Sequence, residues 1–237
     1  VASSGHILNA SDLSLWVALE KNGTVAWNED GITFHSGFKS LAYFQGRNDL
    51  SDNVPLLKRV AENIVSHLLF LDATGVKKSH GPQWCLIGIP TAGTQLAHEA
   101  ASLTLQYPSP RTHMCFRTMR SILKTHGKDN MWVGPPDLTR HSYVTVENIL
   151  STAKAMLEHF EHLAQDGYPV KKMNHVVFAS WGLGGQETLE QNGYEVHILF
   201  HMLDVIEALE ELGIWPKGRF ERMRTRIAIW RKQHGLT

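Results

Sequence analysis

Between residues 84 and 200 the chain alternates short apolar runs with stretches of helical periodicity, and this alternation constrains the fold more than any other feature. WCLIGIP (84–90) reads as a strand that stops at Pro90, and the turn Thr91-Ala92-Gly93-Thr94 leads into a helix over Gln95–Leu105. Met114–Thr118 is a further strand candidate. SYVTVENI (142–149) is a strand, followed by a helix over Ser151–Asp166 that Gly167 ends. NHVVFAS (174–180) leads through the glycine-rich turn WGLGGQ into a short helix, Glu187–Asn192, and Glu195–Phe200 is the last strand. Parallel strands cannot be joined by a tight turn, so each strand, helix, strand unit is a crossover. A run of them builds an α/β protein with a parallel sheet flanked by helices.

The flanks are simpler. Ser11 is the expected N-cap of a short helix over 11–21, and Gly31–Phe44 alternates aromatic and polar residues around Ser36-Gly37, which predicts strand, turn and strand. A long amphipathic helix runs from Val54 to Leu71, with Leu57, Val60, Ala61, Ile64, Val65 and Leu68 on one face. Two terminal helices, 201–212 and 217–234, are separated by Gly213 and Pro216.

Composition removes several classes of function. A chain of 237 residues that is 43% hydrophobic, with 7 Trp, buries a core and is not disordered. Lys plus Arg and Asp plus Glu balance at 23 each, so no general positive field attracts nucleic acid or anionic lipid. The longest apolar runs, such as 64–71, fall well short of the roughly 20 residues that cross a bilayer, so no membrane partner is expected. No secretory signal opens the sequence, and a cytoplasmic protein is expected. Cys85 and Cys115 lack a C-x-x-C spacing, which suggests neither a redox pair nor a thiolate metal site and fits a reducing compartment. Among 14 His, His159/His162 and His197/His201 have helical spacing, but no carboxylate accompanies both pairs as in H-E-x-x-H, and no metal site is expected.

Chemistry in such a fold concentrates at strand to helix turns, where helix N-termini present free N–H groups at the carboxyl ends of parallel strands. Pro90 to Thr94 is one such turn, with Gly93 allowing close approach to an anion. A second runs from Glu147-Asn148 to Ser151-Thr152-Ala153-Lys154, an acid near a strand end followed by two hydroxyls and a lysine. Between them, Arg120, Lys124, His126 and Lys128 concentrate positive charge in a long loop of the lid type.

Taken in order, these pieces resemble orotate phosphoribosyltransferase over roughly residues 31–212. His35-Ser36-Gly37-Phe38-Lys39-Ser40 stands where that family has a K-S-G-R-x-S turn, with Tyr43-Phe44 in place of its aromatic pair beside the base. Ile87 to Gly93 matches the pyrophosphate loop, Arg120 through Lys124 and His126-Gly127 the catalytic loop R-K-x-x-K-D-H-G, and Gly184 to Gly193 the late glycine turn and short helix. The resemblance implies a type I phosphoribosyltransferase fold, with a helix and hood over 1–50 and an α/β core over 51–237. It implies catalytic roles for Arg120, Lys124 and His126, contacts to phosphoribosyl pyrophosphate from Thr91, Ala92, Gly93, Glu147, Asn148 and 151–154, and a base pocket of His35, Tyr43, Phe44 and Trp181. It also implies a homodimer whose loop 120–130 reaches the neighbouring site.

The departures fall on the chemistry. The family's paired ribose-binding acids are here Glu147 and Asn148, its T-x-G phosphate turn has Ala153 for glycine, its loop lysine is Ala92, and its orotate-reading Asp-Arg is Ser180-Trp181. Neutral drift would scatter such changes, whereas these cluster at sugar, pyrophosphate and base contacts. The expectation is a protein of this fold redirected to bind or transform a flat aromatic, or phosphorylated, small molecule. The alternative is an active phosphoribosyltransferase with an acceptor other than orotate. It would use Glu147 for the ribose hydroxyls, Ser151 and Thr152 for the 5-phosphate, and Lys124 with His126 for pyrophosphate. Magnesium is needed only if phosphoribosyl pyrophosphate remains a substrate.

Overall fold

The computed structural model describes residues 8–46, 49–75, 81–123 and 131–236. Helix α1 (Ala10–Lys21) is capped by Asn9 rather than Ser11. The Asn9 Oδ1 accepts the N–H groups of Ser11 at 2.8 Å and Asp12 at 3.0 Å, and Asp12 accepts the Asn9 N–H at 3.0 Å. This reciprocal capping box starts the helix before Ser11. Strands β1 (Val25–Thr33) and β2 (Lys39–Phe44) form an antiparallel hairpin, and β1 begins well before the expected Gly31. A bulge between Trp27 and Ile32 breaks the alternation: Asn28 Oδ1 accepts the N–H groups of Asp30 and Gly31, and Gly31 takes a left-handed φ of +77°. Helix α2 (Val54–Ala73) buries the predicted apolar face.

From there the chain builds the sheet: β3 (Gln83–Gly88), α3 (Ala92–Thr104), β4 (Cys115–Thr118), β5 (His141–Leu150), α4 (Lys154–Gln165), β6 (Asn174–Ser180), α5 (Gly185–Gln191) and β7 (Glu195–His201). Helices α6 (Met202–Glu211) and α7 (Arg219–Gln233) complete it. The five strands pair only in parallel, in the order β4-β3-β5-β6-β7. The helix starts at the two candidate turns differ from expectation. Helix α3 begins at Ala92 instead of Gln95, so the expected turn is its N-cap and first turn, while α4 begins at Lys154, since Ala153 has a left-handed φ of +67° that no α-helix accommodates.

One face of the sheet and the N-terminal elements share a single core. The Trp16 ring of α1 lies 5.4 Å from Phe178 of β6 and 5.4 Å from Phe200 of β7, and Phe44 of the hairpin lies 6.1 Å from Trp16. Aromatic pairs of this kind add about 0.5–1.5 kcal/mol each beyond their buried area. Helix α1 and the hairpin therefore share one core with the sheet, and the hairpin is held in place above it. A smaller cluster on the opposite face packs Tyr143 and Val177 against Met156, Phe160 and Leu163 of α4. Among the described residues no helix is long and apolar enough to cross a membrane.

Candidate functional site

The strand order creates the site. After β3 the chain moves outward to β4 on one side and then returns to β5 on the other, so the connections leaving the carboxyl ends of β3 and β5 diverge and leave a crevice. A cleft of about 550 Å³ lies there. Its floor is Pro90, Thr91 and Ala92 after β3, Glu147, Asn148 and Ile149 of β5, and Ala155 in the first turn of α4. His35, Phe44, Gln45 and Gly46 of the hairpin region cover it.

Glycines set the close approaches. A side chain at Gly93 would run into the Val146 carbonyl oxygen, and one at Gly88 into the backbone of Gly93 and Thr94. The start of α3 thus lies directly on β5, with the Ile89 N–H donating to the Val146 carbonyl at 2.9 Å. The Pro90–Thr91 peptide is cis. Above them, a Cβ at Gly46 would sit 2.6 Å from Asn148 Nδ2 and 2.9 Å from Phe44 Cε1, so any side chain there would have to push Asn148 or Phe44 aside.

Glu147 dominates the electrostatics. Its carboxyl is buried and accepts the Asn148 N–H at 2.7 Å. Burial pushes its pKa up to about 8, only partly offset by the backbone N–H groups of Asn148 and Ile149. At neutral pH Glu147 is therefore protonated and offers an O–H donor instead of a negative charge. Among the described residues no group of three His, Cys, Asp or Glu could hold a metal.

The turn before α4 leaves that helix start without a side-chain cap, so its first N–H groups are open, and Ser151 and Thr152 precede them. The Gly185 N–H donates to the Ser151 carbonyl at 3.0 Å, and a Cβ at Gly185 would collide with that oxygen. The glycine turn therefore braces Ser151 from behind. Ala153 holds its left-handed conformation while buried, at a cost of about 1–2 kcal/mol. Ala153→Gly should relieve this strain. Net of the extra unfolded-state entropy, about 0.5–1 kcal/mol, the gain is roughly 1 kcal/mol. Urea unfolding measures it, and a destabilised variant would refute it.

The remaining expected site residues are placed as follows. His35 and Phe44 line the cleft, whereas Tyr43 and Trp181 lie outside its lining. Trp181 is buried with its ring 5.4 Å from Phe34. Arg120 draws the ends of its loop together: its N–H donates to the Trp132 carbonyl and its Nη1 to the Met131 carbonyl, both at 2.9 Å. Lys124 and His126 lie outside the described residues. Sequence reasoning missed Gln45 and Gly46, which directly follow the aromatic pair, whereas Pro90, Ile149 and Ala155 of the lining fall within turns it had found.

This strand order, with a hairpin over the switch-point crevice, defines an α/β protein of the type I phosphoribosyltransferase fold. Solved structures share it: UMP synthase from Leishmania donovani superposes with a TM-score of 0.70 at 18% identity, covering 94% of this chain, which spans 43% of the length of that one. Orotate phosphoribosyltransferase from Aeropyrum pernix gives 0.56 at 21% identity over 85% of this chain and 99% of its own. The Mycobacterium tuberculosis orotate phosphoribosyltransferase in complex with phosphoribosyl pyrophosphate gives 0.54 at 12% identity over 82% and 98%. No protein-family model matches the chain, and no curated protein matches it by sequence.

Proposed function

We propose that this protein binds a flat aromatic molecule bearing a phosphate group, of the nucleoside monophosphate type, and turns over orotate slowly or not at all. The observation that carries the reading is the neutrality of the cleft. Among the described lining residues there is no lysine or arginine, and the single carboxyl, Glu147, is protonated at neutral pH. A pyrophosphate leaving group needs positive charge where it departs, and Ala92 supplies none. Each lost charge-assisted contact weakens binding or turnover by about 1.5–3 kcal/mol. The open N–H groups of α4 with Ser151 and Thr152 suit one phosphate. The Glu147 hydroxyl and the Asn148 amide suit sugar hydroxyls, and His35 and Phe44 flank the space left for a ring.

Thermal unfolding in the presence of ligands tests this, because anything bound only to the folded state raises the melting temperature. Nucleoside 5′-monophosphates should raise it more than phosphoribosyl pyrophosphate with magnesium does, and orotate absorbance should stay constant with enzyme present. Consumption of orotate at about 1–1000 per second, the common enzyme range, would overturn the proposal. A larger shift with phosphoribosyl pyrophosphate than with any monophosphate would favour an active transferase with another acceptor.

A further inference from the structure

The two cysteines are 30 positions apart in sequence, yet the sheet sets them side by side: Cys85 of β3 is the register partner of Cys115 of β4. Adjacent strands lie about 4.8 Å apart, inside the Cα separation of roughly 4.4–6.8 Å that a disulfide spans. Both thiols are free. Their surroundings differ. Cys85 is fully buried, while Cys115 is only half-buried on the edge strand. The Cys115 Sγ lies 3.7 Å from His141 Nδ1 and 3.7 Å from the Trp84 carbonyl oxygen. Arg117, two residues along the same strand, is fixed nearby by the Pro135 carbonyl at 2.6 Å and the Tyr168 hydroxyl at 2.7 Å.

The neighbouring thiol, with Arg117 and Arg140, lowers the Cys115 pKa against burial. The neighbouring thiol and burial raise that of Cys85. The pair is asymmetric in access as well, with Cys115 on the edge strand reached by solvent and Cys85 buried behind it.

We propose that Cys115 and Cys85 form a peroxide-reactive pair that closes reversibly to a disulfide. The Cys115 thiolate attacks one oxygen of hydrogen peroxide; an S–O bond forms, the O–O bond breaks, and the departing hydroxide takes up a proton as water. The Cys85 sulfur, giving up its proton, then attacks the Cys115 sulfenic acid, forming the S–S bond and releasing the hydroxyl group as a second water. The two thiols lose two electrons and the peroxide gains them. Because β3 ends at Gly88 and leads directly to Pro90 of the cleft floor, the bond would tie that strand to the edge of the sheet.

Stoichiometric peroxide added to the reduced full chain is the test, read by intact mass, thiol titration and peptide mapping. The expected result is loss of both titratable thiols, a mass lower by two hydrogens, a linked peptide containing Cys85 and Cys115, and full reversal by dithiothreitol. Cys85→Ser should stop at a sulfenic acid on Cys115 that dimedone captures, and Cys115→Ser should be inert at the same dose. A wild-type product that only gains oxygen, a disulfide joining two chains, or no reaction would each overturn the proposal. Mapping on the wild-type protein decides the matter even if a serine variant fails to fold.

Discussion

Trp181→Ala should destabilise the protein by about 3–5 kcal/mol while leaving the affinity of the cleft for its ligand nearly unchanged. The ring is 3% exposed, and it does not stand free at a pocket mouth. It rests on Phe34 at 5.4 Å, Phe34 lies 5.8 Å from Phe38, and Phe38 lies 5.5 Å from Trp230 of α7. This run of rings joins the glycine turn after β6 to the hairpin and the last helix. The other rings come from two separate segments, the hairpin and α7, which resist collapsing together into the space a removed indole leaves. Trp181→Phe should recover part of the loss, and Trp181→Arg should be worse than alanine because a guanidinium would be buried among phenyl rings. Denaturant unfolding with parallel ligand titrations separates the roles. A stability loss below about 1 kcal/mol, or an affinity loss larger than the stability loss, would return Trp181 to a stacking role against the ligand.

That contrast shows what the sequence could and could not say. The sheet was legible because its strands are apolar runs bounded by Gly and Pro, and because crossover helices follow β3, β5 and β6 almost at once. The turns at Pro90–Gly93 and Glu147–Lys154 were legible for the same reason, since each is contiguous in sequence. What stayed hidden depends on pairing across distance. Gln45 and Gly46 line the cleft only because the Trp16, Phe44 and Phe178 contacts hold the hairpin over the sheet. Cys85 and Cys115 have no motif spacing, and strand register alone brings them together. The side chain of Trp181 is named by its position in a motif, but the identity of its neighbour, Phe34, is a tertiary fact. Helix starts were misplaced where the chain departs from local preference, as at Ala153, whose left-handed backbone is imposed by the turn and not chosen by alanine.

Burial also reverses the protonation that Glu147 would have in an open turn, and this leads to the second large expected effect. In the folded protein its pKa is about 8, against 4.5 for an ordinary glutamate. Between those values the folded state holds a proton that the unfolded chain has released, so stability falls as pH rises through this window, at up to about 1.4 kcal/mol per pH unit. His175 and His67 slope the other way. Burial lowers their pKa values to about 3 and about 4, the unfolded chain takes up their protons first, and stability grows as pH rises toward 6.5. Their contribution is common to wild type and variant and cancels in the difference. Glu147→Gln keeps the shape and a carbonyl acceptor for the Asn148 N–H but cannot ionise. The variant should match wild type near pH 5 and be more stable by about 3–5 kcal/mol at pH 8.5, measured as the gap between urea midpoints across the series. A gap that does not change with pH would mean that Glu147 is ionised in the fold. The same variant bears on function: a cleft that works with a neutral group at this position keeps its nucleoside monophosphate affinity in Glu147→Gln at pH 7. A transferase that grips ribose hydroxyls through a carboxylate loses it, and its activity rises as wild-type Glu147 ionises above pH 8.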